Sequence, residues 1–119
     1  MTSPKRSARV GAQLKVALAE ILAREISDPR LAGVVVTRVE LTDDLGLLSA
    51  HVRTLAGDDA SRKSAMRALE RASGRIRREL GARVKTRVVP QVRFFYDEGQ
   101  DRQLRVEELL REIETERKR

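Results

Sequence analysis

Two β-branched stretches, VVVTRVELT (34–42) and LLSAHVRTL (47–55), flank the four residues DDLG (43–46). Each alternates in side-chain character as a half-buried strand does, and so short a turn implies an antiparallel hairpin. On the first strand Val35, Thr37, Val39 and Leu41 are expected on one face, with Arg38 and Glu40 on the other. On the second, Leu48, Ala50, Val52 and Thr54 alternate against His51 and Arg53. Two strands alone are marginal in water, so their apolar face must be covered by other parts of the chain.

The covering elements are legible on either side. In residues 5–26, Val10, Leu14, Leu18, Ile21, Leu22 and Ile26 recur at three- and four-residue steps, the period of an amphipathic helix. SDPRL (27–31) should end it, because Pro29 disfavours helical geometry at Asp28. AGDDAS (56–61) reads as a loop that caps a second helical region, 61–85, with Ala65, Leu69, Ala72, Ile76 and Leu80 on one side. VVPQVRFFY (88–96) reads as a third strand, with Val92, Phe94 and Tyr96 alternating against Arg93 and Phe95. Pro90 lacks a backbone donor and belongs at the strand's start or on an edge. Residues 101–114 are expected to form a last helix, and ETERKR to fray. The simplest assembly is one antiparallel sheet with helices packed on one face, an α+β domain over 1–99 followed by a charged tail over 100–119.

With aromatics at only 3% of 119 residues, the core must be aliphatic. There is no cysteine, which excludes disulfides, thiolate metal sites and cysteine nucleophiles. No apolar run approaches the roughly 20 residues of a membrane span, and the N-terminus lacks the apolar stretch of a signal peptide. A soluble, cytoplasmic protein is expected.

The net charge is +7, and it is localised. Residues 60–87 hold ten Lys/Arg against two acids, residues 1–25 five against two, and residues 97–119 six against eight. Such a basic excess suggests a polyanionic partner. At 100° per residue, Lys63, Arg67, Arg71, Arg75 and Arg78 fall within about a third of the helical wheel, opposite the apolar set. Like charges at this spacing repel, and Glu70 and Glu79 lie off the stripe. A purely structural helix would normally mix signs, so the stripe reads as a phosphate-binding face, with a plain solvated face as the alternative.

ALERASGRIRREL (68–80) places Ser73 and Gly74 amid strong helix formers. Glycine in a helix interior costs about 1 kcal/mol relative to alanine. Two readings account for it equally well. A kink would expose backbone amides and open a new helix N-terminus near Arg75, suited to a phosphate. Alternatively, Gly74 permits close packing against the sheet.

Other constellations carry little chemistry. His51 is the sole histidine and lacks a nucleophile in any recognisable motif. The acidic pairs Asp43-Asp44, Asp58-Asp59 and Asp97-Glu98 read as turn and cap residues rather than a Mg²⁺ site. The phosphate-loop and dinucleotide fingerprints are absent, so no cofactor, metal or enzymatic activity is expected. Phe94, Phe95 and Tyr96 are the only aromatics. Phe94 and Tyr96 are expected in the core; Phe95, on the outward face, either stacks a base or lies under the tail helix, the helix being the favoured reading. Recognition should therefore rest on phosphates and RNA shape.

Four stretches, REISDPRL (24–31), VTRVELTDDL (36–45), ALERASGRIRREL (68–80) and VVPQVRFFYDEG (88–99), together resemble the ribosome-binding factor A family of bacterial small-subunit assembly factors. The resemblance implies a type II KH-like fold, α-β-β-α-α-β. KH domains clamp nucleic-acid backbone with a GxxG loop between two helices. No GxxG occurs here; the family carries an AxG kink at that place, which is Ala72-Ser73-Gly74 in this chain. The resemblance further implies binding to the free 30S subunit and help in late maturation of 16S rRNA, including its 5′-end region, without catalysis. The expected RNA-contacting residues are Lys63, Arg67, Arg71, Ser73, Gly74, Arg75, Arg77, Arg78, Lys85 and Arg87, with Lys5, Arg6 and Arg9 either a second patch or, equally, a disordered, solubilising start. The chain is expected to act as a monomer. A protein-interaction or membrane-surface module built on the same basic helix is the competing reading.

Overall fold

The structure, a computed structural model, describes residues 4–55, 57–84, 87–99 and 110–117, the side chains of residues 4 and 5 excepted. The order is α1 (Pro4–Arg24), a single 3₁₀ turn (Pro29–Leu31), β1 (Val34–Leu41), β2 (Leu47–Thr54), α2 (Asp59–Arg83) and β3 (Gln91–Tyr96). A short helix, α3, spans residues 110–117, all of them exposed. The part of the expected tail helix over residues 101–109 lies outside the described residues.

α1 begins at Pro4, where a missing N–H costs nothing because first-turn amides have no helical partner. It buries Leu14, Ala17, Leu18, Ile21 and Leu22. Asp28 then caps the 3₁₀ turn: its carboxylate accepts from the Arg30 amide at 3.0 Å and from the Arg30 guanidinium at 2.8 Å. Leu31, inside that turn, is buried. The turn between β1 and β2 is closed by Asp44, whose Oδ1 accepts from the Thr42 hydroxyl and the Gly46 amide.

β1 and β2 pair antiparallel, as the turn implies, but the register slips between Val36 and Arg38. Thr37 is an extra residue there, a β-bulge, and it reverses the expected faces on its N-terminal side. Val36 is buried and Val35 is 47% exposed, whereas Val39 and Leu41 pack against the core as expected. The Thr37 hydroxyl donates to Asp97 Oδ2 at 2.6 Å, and its oxygen lies 3.2 Å from the His51 carbonyl. β2 follows its pattern without exception: Leu48, Ala50 and Val52 are fully buried.

β3 pairs with β2 in parallel, so the sheet is mixed, in the order β1-β2-β3, rather than antiparallel throughout. The physical reason is α2. It carries the chain back along the sheet, and a strand entered after such a crossover runs parallel to the one that preceded it. Pro90 is fully buried immediately before β3, where no ladder donor is needed.

α2 is capped by Asp58, whose Oδ2 accepts from the Ser61 amide at 3.3 Å. Ala65, Ala68, Leu69, Ile76 and Leu80 are its buried positions. Together with α1 they close over the inner faces of Val36, Leu48, Ala50, Val52 and Val92 in one aliphatic core. Both long helices lie on the same face of the sheet, the α+β arrangement expected, with the middle helical region a single run.

Candidate nucleic-acid interface

α2 turns its apolar stripe to the core and its cationic stripe to solvent. Lys63, Arg67, Arg71, Arg75 and Arg78 are all exposed. Fifteen residues of helix separate the first from the last, a ridge of about 22 Å. Other arginines are tied into the fold. Arg62 bonds Glu98 at 2.8 Å and lies 3.8 Å above the Tyr96 ring. Arg83 bonds Glu20 and Glu25 at 3.0 Å each, and Arg30 and Arg38 are paired with Asp28 and Glu40. Among the described residues, the five ridge cations make no such ion pair. Arg71 lies near enough to Asp28 to help lower that carboxyl's pKa, which its bonds to Arg30 lower most.

Ser73 and Gly74 do not interrupt α2. The helix runs through both, so the new N-terminus near Arg75, one of the two readings and the one the resemblance favoured, is absent and residues 73 and 74 sit in a helix interior. The reason is tertiary: Leu69, Ile76 and Leu80, on either side of the weak point, are each held in the core. Close packing does not explain Gly74 either. It is exposed, and a Cβ added there would meet nothing within 4 Å. Gly81 is different, because a Cβ on it would fall 2.9 Å from Val89 Cγ2. On the wheel Gly74 falls inside the cationic stripe, so the ridge has a gap where the backbone is bare.

Beside this gap lies a groove of about 440 Å³ between α2 and β3, lined by Met66, Glu70 and Ser73 on one side and by residues 91–95 on the other. Gln91 N–H donates to Gly46 O and Asp97 N–H to Val52 O. With a two-residue repeat, the main-chain groups of Val92, Phe94 and Tyr96 therefore point away from β2, at the free edge that borders the groove. Sequence reasoning missed this groove, because it depends on β3 being an edge strand.

The remaining candidates are dispersed. Arg77 is exposed, and its Nη2 donates to Val89 O at 3.0 Å, which ties it to the segment before β3. Arg87 is exposed in that segment, and Lys85 lies outside the described residues. Arg6 and Arg9 are exposed on α1, a different element, near Ser7, whose hydroxyl bonds Asp43 across to the hairpin turn. Lys5 belongs to the same helix. Phe94 packs against the core, and Tyr96 is half-buried beneath Arg62. Phe95 is 45% exposed and stacks on His51, with ring centroids 5.5 Å apart. Burial holds the His51 pKa below its ordinary value, helped by Arg38, so the ring is neutral at pH 7. Among the described residues, no helix is long and apolar enough to cross a membrane and no cluster of three or more His, Cys, Asp or Glu side chains is placed to hold a metal ion.

A three-stranded mixed sheet with both long helices on one face, and a cationic helix face turned outward, is a KH-like α+β architecture, consistent with RNA binding. A family model for ribosome-binding factor A matches residues 6–110. A ribosome-binding factor A of Sorangium cellulosum is 51% identical over 111 residues, covering 92% of this chain and 89% of that protein. The crystal structure of ribosome-binding factor A from Thermus thermophilus superposes with a TM-score of 0.68 at 37% identity, over 76% of this chain and 93% of that one. A homology model of the Thermus thermophilus factor, fitted into the cryo-EM map of a 30S–RbfA complex, gives 0.63 at 37% identity, over 75% and 92%. The chain belongs to the ribosome-binding factor A family.

Proposed function

We propose that this protein is a non-catalytic assembly factor of the cytoplasm that binds the free 30S subunit and assists late maturation and processing of 16S rRNA near its 5′-end helix. The observation that carries this reading is the ridge of five unpaired, exposed cations on α2, bare at Gly74. Unpaired like charges stacked along one helix face cost stability, by a few tenths of a kcal/mol per neighbouring pair, and a polyanion recovers that cost on binding. Arg67, Arg71, Arg75 and Arg78 contact phosphates from successive turns, and the bare backbone at Gly74 lets the sugar-phosphate chain come close. The groove beside Ser73, with its free strand edge, takes the adjoining nucleotide. Binding favours one rRNA arrangement over another only by its differential affinity for the two, and the factor leaves when the mature arrangement wins.

Salt titration tests the ridge. Five phosphate contacts give a slope of log K against log salt of about −3.5 to −4.5, or roughly a 100- to 500-fold loss of affinity for the free 30S subunit between 50 and 200 mM salt. A flat response rules out the phosphate model. Arg75→Glu should weaken binding at least tenfold and make the slope shallower by about 1. Its fold should be intact, because Arg75 is exposed and the change relieves repulsion from Arg71 and Arg78.

A further inference from the structure

The face of the sheet opposite the helices is also built to take a partner. Strand register places Arg38, His51 and Phe95 side by side across β1, β2 and β3, with Glu40, Ser49 and Arg93 in the next outward row. Arg53 follows His51 by two residues and shares its face. Phe95 and His51 are stacked at an interplanar angle of 28°, and Phe95 remains 45% exposed. The chain has only three aromatic residues, and it places one of these outward, beside Arg93. Arg93 and Arg53 are exposed, and Arg38 keeps a buried Nε without a hydrogen-bond partner. Against them stand two carboxylates, Glu40, already bonded to Arg38 at 3.0 Å, and Asp97, which accepts from the Thr37 hydroxyl at 2.6 Å. The face is therefore a ring pair framed by excess positive charge.

We infer that this open sheet face is a second RNA surface, which stacks an unpaired base of a single-stranded segment on Phe95 and holds the flanking phosphates with Arg93 and Arg53. Aromatic rings on a sheet, framed by guanidinium groups, supply what an unstacked nucleotide needs: a π face for the base and cations for the chain. An acidic peptide would use the arginines but gain nothing specific from the rings. The surface is continuous with the ridge side of the molecule. Arg93 and Phe95 line the same groove as Met66 and Ser73, so one strand can pass from α2 around the β3 edge onto the open face. The inference rests on the RNA-binding reading only for its class of ligand. Its residues lie on the opposite side of the sheet from the ridge.

The test uses the full chain and a single-stranded RNA of about ten nucleotides, within the usual site size of one domain. Affinity is read by fluorescence anisotropy, and contacts by NMR of the His51 and Phe95 ring protons. Phe95→Leu, which keeps apolar bulk and loses the π face, and Phe95→Ala should each weaken binding roughly 5- to 100-fold, with both rings shifting on RNA addition to the native chain. Shifts confined to α2, with Phe95→Leu binding like the native protein, overturn the inference and leave the ridge standing. Sensitivity to Phe95→Leu together with native affinity in Arg75→Glu supports this face and removes the ridge. Contacts between the Phe95 ring and residues 100–119, or a second copy, in the RNA-free protein also overturn it.

Discussion

Replacing Gly74 with alanine separates stability from binding in one step. The helix runs through position 74, the site is exposed, its φ is not positive, and an added Cβ meets nothing within 4 Å. No packing cost offsets the propensity gain, so Gly74→Ala should stabilise the fold by about 1 kcal/mol. For a chain of this size that is a rise in Tm of about 3–5 °C. Gly81→Ala is the matched control on the same helix. Its Cβ would fall 2.9 Å from Val89 Cγ2, on a stiff β-branched side chain. Overpacking of that kind costs about 1–3 kcal/mol, which cancels or reverses the same propensity gain. Thermal and urea unfolding followed by circular dichroism measure both variants. If Gly74→Ala lowers stability, or if the two variants behave alike, position 74 is not an ordinary helical site and the account of α2 as one run is wrong. The binding arm has the opposite sign. A methyl in the gap keeps the sugar-phosphate chain away, so affinity for the free 30S subunit should fall while Tm rises. Unchanged affinity would take Gly74 out of the interface.

Further expectations concern the hairpin and the cap. Thr37→Val removes a hydroxyl that donates to Asp97 at 2.6 Å, and should cost about 1.5 kcal/mol in urea unfolding. That bond is the main cause of the lowered Asp97 pKa, so the same variant should move it back up toward 3.8, read by carboxyl NMR titration. Burial lowers the His51 pKa, with Arg38 acting the same way and Glu40 and Asp97 opposing. The unfolded chain therefore takes up this proton first as pH falls. The His51 contribution is fully present above about pH 6.5 and declines as pH falls from there toward the folded pKa. In His51→Gln the urea midpoint should vary less between pH 7.5 and 5.5 than in the native chain; equal slopes would show that His51 is not the group responsible. Asp58→Ala removes the α2 cap and should lower stability by about 1 kcal/mol, with Asp58→Ser restoring most of it.

The distance over which each feature is specified explains how far reading the chain could go. β2 was legible because it lies between two partners with one face covered, so strict alternation suffices. β1 was legible as a strand, and its faces were legible beyond Thr37 but reversed before it. The bulge at Thr37 is stabilised by Asp97, sixty residues on, and no local pattern announces it. The α2 stripe was legible for a simple reason: five positions on one helix share a face whatever that helix packs against. Whether each cation is free was not legible. Arg62 and Arg83 look like further members of the basic run, yet they pair with Glu98 and Glu20, 36 and 63 residues away. Alternation placed His51 and Phe95 outward, but their stacking and the groove were missed for the same cause, since both arise from the placement of β3.

Period and punctuation in the amino-acid order were enough to dictate the helices and strands, their sequence, the aliphatic core and the cationic helix face, because each depends on neighbours within about two turns or one hairpin. Long-range packing alone settled three things. β3 runs parallel to β2, because α2 returns the chain before it. α2 stays whole across Gly74, because Leu69, Ile76 and Leu80 are pinned on the same core. The ridge stands unpaired among the described residues, because Asp28, the carboxylate beside Arg71, is bonded to Arg30, while Glu70 and Glu79 lie off the stripe and make no ion pair with it. Local sequence can make a helix face positive, but only the assembled fold determines which of its charges are left for a partner.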